Sequence, residues 1–358
     1  MRGQGSFPLI GIENRKQNMA HVESVSSWGQ ILGPYRTPRI FRSIFELLVT
    51  ALPFAMLWAL TWAALSVGYW LSLMLALPTA CFLLRLFMIQ HDCGHGACFA
   101  RRSTNDWVGR MIGVFTLTPY SFWLRAHALH HAGVGNLDHR GNGDIITLTT
   151  DEYAALRPLH RLIYRLYRSP FVMFGLIPIY LFVLHQRLPV GQMRSGKEPW
   201  VSTMGTNAAI AGVVVLMILL IGLGPFLLVQ GPVVVVCSSL AVWFFYVQHQ
   251  FEDTHWAHDG DWSFHEAALR GSSHYELPRA LAWFTGNIGV HHVHHLSSRI
   301  PFYRLPQVLR DHPQLASAGR LTFLQSLRCA TLALWDERQK RLISFRELHT
   351  CDASSLRD

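Results

Sequence analysis

The stretch YWLSLMLALPTACFLLRLFMIQHDCGH, residues 69–95, decides the fold, because an apolar run of membrane length leads directly into a pair of histidines. The run from about Tyr69 to Ile89 meets the length of roughly 20 predominantly apolar residues that a membrane helix needs. His91 and His95 follow at a spacing of four, which places two side chains on one helical face, one turn apart. The stretch therefore predicts a membrane helix whose end carries two imidazoles aimed at one point.

Two further histidine clusters occur, as His127-Ala-Leu-His130-His131 and His291-His292-Val-His294-His295. In each, the first histidine shares a helical face with those three and four positions later, so each cluster offers up to three nitrogens. Imidazole is the commonest metal ligand, and an all-nitrogen set favours iron, copper or zinc over magnesium or calcium. With the first pair this makes eight imidazoles, more than one ion holds. We predict two metal ions, and the spacing leaves the choice of metal open.

Other candidate residues are weaker. The isolated histidines are predicted to be surface or capping residues: His21, His139, His160, His185, His258, His265, His274, His312 and His349. His292 lies off the pattern of its cluster, and neither it nor His255 is assigned a role. Asp92 and Asp144 are candidates for orienting ligand imidazoles by hydrogen bonds, although Asp92 is equally well interpreted as a helix-end carboxylate.

The composition indicates a membrane protein. Half of the 358 residues are hydrophobic and 15% are charged, whereas a soluble domain carries about 25% charged residues. The net charge of +9 comes almost entirely from arginine. We predict no nucleic-acid partner, because no recognisable reading module accompanies this charge, and arginines flanking membrane spans account for it. The six cysteines form no CxxC pair, which argues against zinc ribbons, simple iron–sulfur sites and thioredoxin-type redox chemistry. Free thiols suit a reducing compartment.

Four membrane spans are predicted in two hairpins. They run from about Ile44 to Val67, Tyr69 to Ile89, Asn207 to Val229 and Val233 to Val247. Gly231-Pro232 is the predicted break in the second hairpin, and Arg85 is expected to snorkel to the interface.

Two shorter apolar stretches, Met111 to Trp123 and Phe171 to Leu184, are predicted to be interfacial or re-entrant. The second follows a basic segment, residues 157–168, in which arginines recur at helical spacing among leucine and tyrosine. An even number of crossings then brings all three histidine clusters to one side, and the positive-inside tendency makes that side cytoplasmic.

The predicted fold is thus an all-α integral membrane protein, with four transmembrane helices in two hairpins, interfacial helices and a cytoplasmic cap that carries the histidine clusters. The predicted organisation is a polar N-terminal segment (1–36), a membrane domain (37–320) and a basic cytoplasmic C-terminal tail (321–358). A bacterial inner membrane is the expected location.

At these residues the chain resembles the membrane fatty acid desaturase superfamily, whose hallmark is three histidine boxes of this kind. The likeness runs from about Trp28 to Leu309 and is closest to bacterial and cyanobacterial acyl-lipid desaturases of the delta-12/omega-6 type. Further matching segments are Gly135-Asn-Leu-Asp138, Gly143-Asp144, Gln248-His249-Gln250-Phe251-Glu252-Asp253-Thr254 and Arg299-Ile-Pro-Phe-Tyr-Arg-Leu305. His255 departs from the pattern, since related bacterial sequences often carry tyrosine there.

The resemblance implies a ninth ligand, His249, and a non-haem diiron centre that uses O2 to desaturate an acyl chain. It favours a lipid-linked, oleate-type chain that receives a further cis double bond. Walls of an acyl tunnel are expected at residues such as Trp243, Phe244 and Tyr246, for which interface anchoring is an equal alternative. No fused electron-transfer motif is found, so a separate reduced ferredoxin, a cytochrome or a similar small acidic carrier is implied.

Two alternatives remain. A hydroxylase of an alkane, fatty acid or carotenoid in the same superfamily would share the ligands, although Arg-Ile-Pro-x-Tyr after the third box favours the desaturase. A histidine-rich metal transporter or sensor belongs to another class, but transport sites lie near the midplane of broken helices. Here the histidines gather at the ends of apolar runs.

Overall fold

The computed structural model describes residues 25–141 and 144–348. Most of the predicted N-terminal segment, residues 142 and 143, and the last ten residues of the predicted tail lie outside the described residues, and so do His21 and His349.

Helices dominate the structure, as predicted. They are α1 (Val25–Ile31), α2 (Ile40–Ala63), α3 (Tyr69–Gly94), α4 (Arg102–Phe115), α5 (Tyr120–Gly133), α6 (Thr150–Ala155), α7 (Pro158–Tyr167), α8 (Ile177–Ile179), α9 (Lys197–Ile221), α10 (Leu223–His249), α11 (Phe264–Arg270), α12 (Arg279–Phe284), α13 (His291–Leu296), α14 (Leu305–Asp311), α15 (Pro313–Ala316) and α16 (Phe323–Cys329). Five short strands accompany them: β1 (Leu148–Thr149), β2 (His274–Glu276), β3 (Arg320–Thr322), β4 (Leu332–Asp336) and β5 (Arg341–Ser344).

Four helices, α2, α3, α9 and α10, are long and apolar enough to cross a membrane, which confirms the predicted number of spans. Their outward faces carry exposed apolar side chains such as Phe41 and Leu219. In the most apolar part of α9 only 6% of residues are buried within the chain. Side chains that are this apolar and this exposed suit contact with lipid tails.

The predicted break of the second hairpin is wrong by nine residues. The chain turns at Gly222, whose φ of +86° lies in a region that favours glycine. Pro232 lies inside α10, which is helical through the predicted break. Helices in membranes tolerate an internal proline because neighbouring groups satisfy the freed backbone, so the glycine rather than the proline decides the turn.

The expectation that Arg85 snorkels is also wrong. Arg85, in α3, is 1% exposed. Its guanidinium donates to the carboxylate of Glu46 in α2 and, over 3.1 Å, to the hydroxyl of Thr50. It also lies 3.7 Å from the ring centroid of Trp283. The carboxylate of Glu46 and the ring of Trp283 both contact the guanidinium, so the Arg85 side chain is directed into the protein and not toward the membrane interface.

The two shorter apolar stretches form irregular helical structure. The first becomes the end of α4, a turn and the start of α5. The second forms α8 with π-helical turns on both sides, Val172–Leu176 and Tyr180–Leu184, and is bent by 57° from α7. That bend is the geometry of a broken span or a re-entrant loop.

The C-terminal part is folded onto the domain from Arg320 to Ser344. Strand β4 pairs antiparallel with β5 and parallel with β1, and β2 pairs parallel with β3. Trp335 and Leu342 on these strands are fully buried. Two small sheets thus close the side of the helical domain, which remains an all-helical membrane fold in its main architecture.

Candidate metal centre

The candidate ligands lie on four helices, or directly after one of them, and these helices bring them together at one place. His91 lies in the last turn of α3 and His95 directly follows that helix. Helix α5 carries the second cluster, His249 ends α10, and α13 carries the third cluster. All nine predicted ligands meet there.

The nine imidazoles form two groups. Within each group, one ring nitrogen of every histidine lies within 4.8 Å of those of the other members. The five-histidine group contains His91, His95, His127, His131 and His294, and the four-histidine group contains His130, His249, His291 and His295. Each HxxHH cluster is therefore divided between the groups. The histidines four apart stay together, whereas the remaining one is turned about the helix axis and joins the other group.

Contacts between the ring nitrogens test whether these groups suit a metal. The Nε2 atom of His127 lies 3.0 Å from Nε2 of both His91 and His95, and 3.1 Å from that of His131. One ring nitrogen has either one proton or one lone pair, so it cannot form three such hydrogen bonds. A cation among the nitrogens would accept every lone pair. The five-histidine group therefore fits a metal ion.

The four-histidine group repeats this arrangement. His249 Nε2 lies 2.9 Å from His291 Nε2 and 3.1 Å from His130 Nε2. Nitrogens bound to one ion at about 2.1 Å lie about 3.0 Å apart at right angles and about 3.4 Å apart in a tetrahedron. The separations in both groups are therefore short enough for the nitrogens of each group to bind one ion together.

The histidines are held in the neutral form that binds metals. Burial, followed by repulsion from neighbouring imidazoles, lowers the pKa of the ligand candidates outside the spans well below the usual value: His95, His127, His131, His291, His294 and His295. A histidine must lose its proton to bind a metal through that nitrogen. These six imidazoles, four in the five-histidine group and two in the four-histidine group, are therefore neutral and able to bind a metal at neutral pH.

In two of the imidazoles, the ring nitrogen that points away from the group donates a hydrogen bond to a nearby acceptor. The Asp144 carboxylate accepts from His130 Nδ1, and the Gly271 carbonyl accepts from His249 Nδ1 over 3.1 Å. Asp92 accepts over 2.7 Å from the Phe302 backbone N–H, and its other carboxylate oxygen lies 3.5 Å from His91 Nδ1. Asp92 therefore ties the end of α3 to the segment that follows the third cluster.

Two aromatic residues at the site were missed from the sequence. Trp123 stacks on His127 with ring centroids 4.7 Å apart, and Phe245 lies 5.0 Å from His130. Trp123 precedes His127 by four residues, and Phe245 precedes His249 by four. That spacing places each ring on the histidine face of its helix and was a usable signal.

The unassigned histidines lie outside both groups. His292 is buried and its Nε2 lies 2.8 Å from the Leu315 carbonyl, and burial lowers its pKa to about 3. It is a neutral, hydrogen-bonded core residue. His255 is half-buried, with Nε2 3.6 Å from the Glu266 carboxylate.

The expected tunnel residues pack in the protein core. Tyr246 is buried and donates to the Leu332 carbonyl over 2.7 Å, and Trp243 lies 5.0 Å from the ring of Phe174. A small apolar cavity of about 20 Å³ lies instead between α3, α10 and the end of α4, where Phe87 and Ala241 are among its lining residues. Phe87 contacts Trp123 at 5.6 Å between ring centroids. The cavity is thereby connected to the five-histidine group through two aromatic rings.

Comparison with known proteins yields consistent matches. The family described as fatty acid desaturase matches residues 67–326. A fatty acid desaturase of Bacillus subtilis (strain 168) is 42% identical over 93% of this chain and 94% of its own. An sn-1 oleoyl-lipid 12-desaturase of Synechocystis is 27% identical over 69% of this chain and 72% of its own. An sn-1 acyl-lipid omega-3 desaturase (ferredoxin) of the same organism is 29% identical over 62% and 61%.

The family match covers most of the chain, and the Bacillus relative is similar over nearly its whole length. The matched region contains three of the four membrane-length helices (α3, α9 and α10), both histidine groups and the strands β1 to β3. With its four membrane-length helices and its paired histidine groups, this chain belongs to the fatty acid desaturase family.

Proposed function

We propose that this enzyme uses O2 to introduce a further cis double bond into a lipid-linked, oleate-type acyl chain, with one non-haem iron in each histidine group. The observation that carries the proposal is the multiple Nε2 contact at His127, which protons cannot satisfy and a cation can. The Synechocystis relative named as an oleoyl-lipid desaturase supports the substrate class.

Iron in the two groups would supply the oxidant, and the overall reaction converts two adjacent methylenes, O2, two donor electrons and two protons into a double bond and two waters. The residues of this chain orient and shield that chemistry. Asp144 and the Gly271 carbonyl hold the Nδ1 protons of His130 and His249, so that Nε2 faces the group. Trp123 and Phe245 lie against imidazoles and exclude water there.

The acyl chain passes Trp123 and Phe87 toward the apolar cavity between α3 and α10. This route is supported by the ring contacts that join the cavity to the five-histidine group. The walls of the cavity come from α3 and α10, two of the membrane-length helices, together with the end of α4, the turn after it and the π-helical segment Tyr180–Leu184.

The electrons come from a separate carrier protein in this proposal. Relatives whose names include ferredoxin support a ferredoxin-type donor. The site faces the cytoplasm in a bacterial inner membrane, an orientation supported by the basic residues Arg39, Arg42 and Lys197 at the histidine ends of the spans.

The alternatives are less well supported. Hydroxylation would use the same ligands, but the three relatives compared above are named desaturases. A transporter would hold its site near the bilayer midplane, whereas both groups lie at the helix ends.

The test is a fatty-acid profile of a bacterial host that expresses this chain with a ferredoxin system, beside a His91→Ala control. We expect new unsaturated chains that are absent from the control, and their analysis gives the bond position. Hydroxylated products would move the assignment to the hydroxylase alternative. Protein that holds two irons yet leaves the profile unchanged in all lipid classes would contradict desaturation of acyl lipids.

Replacing Asp144 with asparagine is expected to weaken metal binding by about 10–100-fold, because the amide cannot hold the His130 proton as the carboxylate does. Iron content during titration with a chelator measures the effect. Asp151→Asn, on the first turn of α6, is the control. Equal chelator resistance of both variants would show that the Asp144 contact does not support the site.

A further inference from the structure

A cleft of about 420 Å³ opens beside both histidine groups. Its lining comes from the linker before α2, the second half of α5, the start of α11 and the segment at the end of α13, and includes Arg36, His131, His295 and Arg299. All of its lining residues lie outside the four long helices. We call it the arginine cleft.

The floor of the arginine cleft joins the two groups. His131 belongs to the five-histidine group and His295 to the four-histidine group. Their rings stack with centroids 4.1 Å apart and planes at 15°. An electron that arrives at this pair is therefore one imidazole away from either metal position.

The charge of the cleft suits a negative partner. Its lining includes two arginines and no carboxylate. Arg36 Nε donates to Ser297 over 2.8 Å, which orients its guanidinium at the cleft, while Arg299 is exposed. Arg304 adds a third cation behind the same linker, where it donates to the backbone carbonyls of Pro34, Tyr35 and Thr37. Such a surface steers and orients an acidic protein.

We infer that the arginine cleft is the docking surface of a small acidic one-electron carrier protein, which delivers electrons at the His131–His295 pair. The inference rests on the proposed function, because only that reaction requires outside electrons. Two carriers are each oxidised by one electron per turnover. Those two electrons, together with two electrons and two protons from the acyl chain and two protons from solvent, reduce O2 to two waters.

The cleft is separate from the acyl route. The apolar cavity is lined mainly by α3 and α10 and shares no lining residue with the arginine cleft, whose residues lie outside the spans. The proposed acyl route and the arginine cleft would thus approach the histidine groups separately, one along apolar residues and one along cationic residues.

The test uses the purified, iron-loaded enzyme in detergent with a reduced plant-type [2Fe–2S] ferredoxin as the probe. The variant Arg36→Glu/Arg299→Glu is expected to slow reduction by ferredoxin by about tenfold or more at low salt. Reduction by dithionite and iron content are expected to stay at wild-type values. The conservative variant Arg36→Lys/Arg299→Lys keeps the charge and is expected to react within about twofold of wild type.

Arg157→Glu is the matched control, because Arg157 is an exposed arginine at the start of α7 and outside the cleft. Ferredoxin rates that are equal in the double variant and in wild type would overturn the docking site. A raised KM for the lipid with an unchanged ferredoxin rate would identify a headgroup site instead and also overturn it. Wild type that ferredoxin reduces, but that forms no unsaturated product, would refute the proposed function and not the docking surface.

Discussion

Alanine in place of His127 is expected to lower the iron content from two ions to about one per chain and to remove desaturation below detection. His127 Nε2 contacts three other ring nitrogens of its group, so its loss opens the centre of the five-histidine group. The four-histidine group keeps all of its nitrogens and is expected to retain its ion. Iron analysis of the purified protein and the fatty-acid profile of the host measure the two effects.

Two controls separate ligation from general damage. His160→Ala changes an exposed histidine on α7 and is expected to leave both iron content and product unchanged. His292→Ala changes a buried histidine beside the ligands, whose ring contacts the Leu315 carbonyl. It is expected to destabilise the protein while the purified fraction keeps two irons. A loss of iron in His292→Ala equal to that in His127→Ala would contradict the assignment of the groups.

Leucine in place of Glu46 is expected to destabilise the folded protein by about 3–5 kcal/mol, because it leaves the Arg85 guanidinium buried without its carboxylate. Within the described residues, Glu46 is the carboxylate with which Arg85 forms an ion pair. The free energy of unfolding in mixed detergent micelles measures the loss.

The double variant Glu46→Leu/Arg85→Leu removes both charges and is expected to recover most of that stability. Arg42→Leu is the matched control, since Arg42 also pairs with Glu46 but is half-exposed, and its loss is expected to cost less than about 1 kcal/mol. A double variant that is no more stable than Glu46→Leu alone would show that uncompensated charge is not the cause.

The four spans were predictable because their apolar composition is local and the membrane imposes a minimum length. The turn of the second hairpin was not, since Gly222 and Gly231-Pro232 are both plausible breaks in sequence. The backbone around Pro232 stays helical because neighbouring groups form its hydrogen bonds, so the chain turns at Gly222 instead. Arg85 was misjudged for a related reason, as its partner Glu46 is 39 positions away in sequence.

From the sequence by itself came the membrane class, the even number of spans and the identity of eight metal-ligand candidates, because apolar length and helical spacing are properties of neighbouring residues. The ninth, His249, required the family resemblance. Only the tertiary structure divided the nine imidazoles into two groups, since this division depends on how four separately encoded helix ends are rotated against one another. The cleft between Arg36 and Arg299 likewise exists only after residues far apart in the chain have packed together.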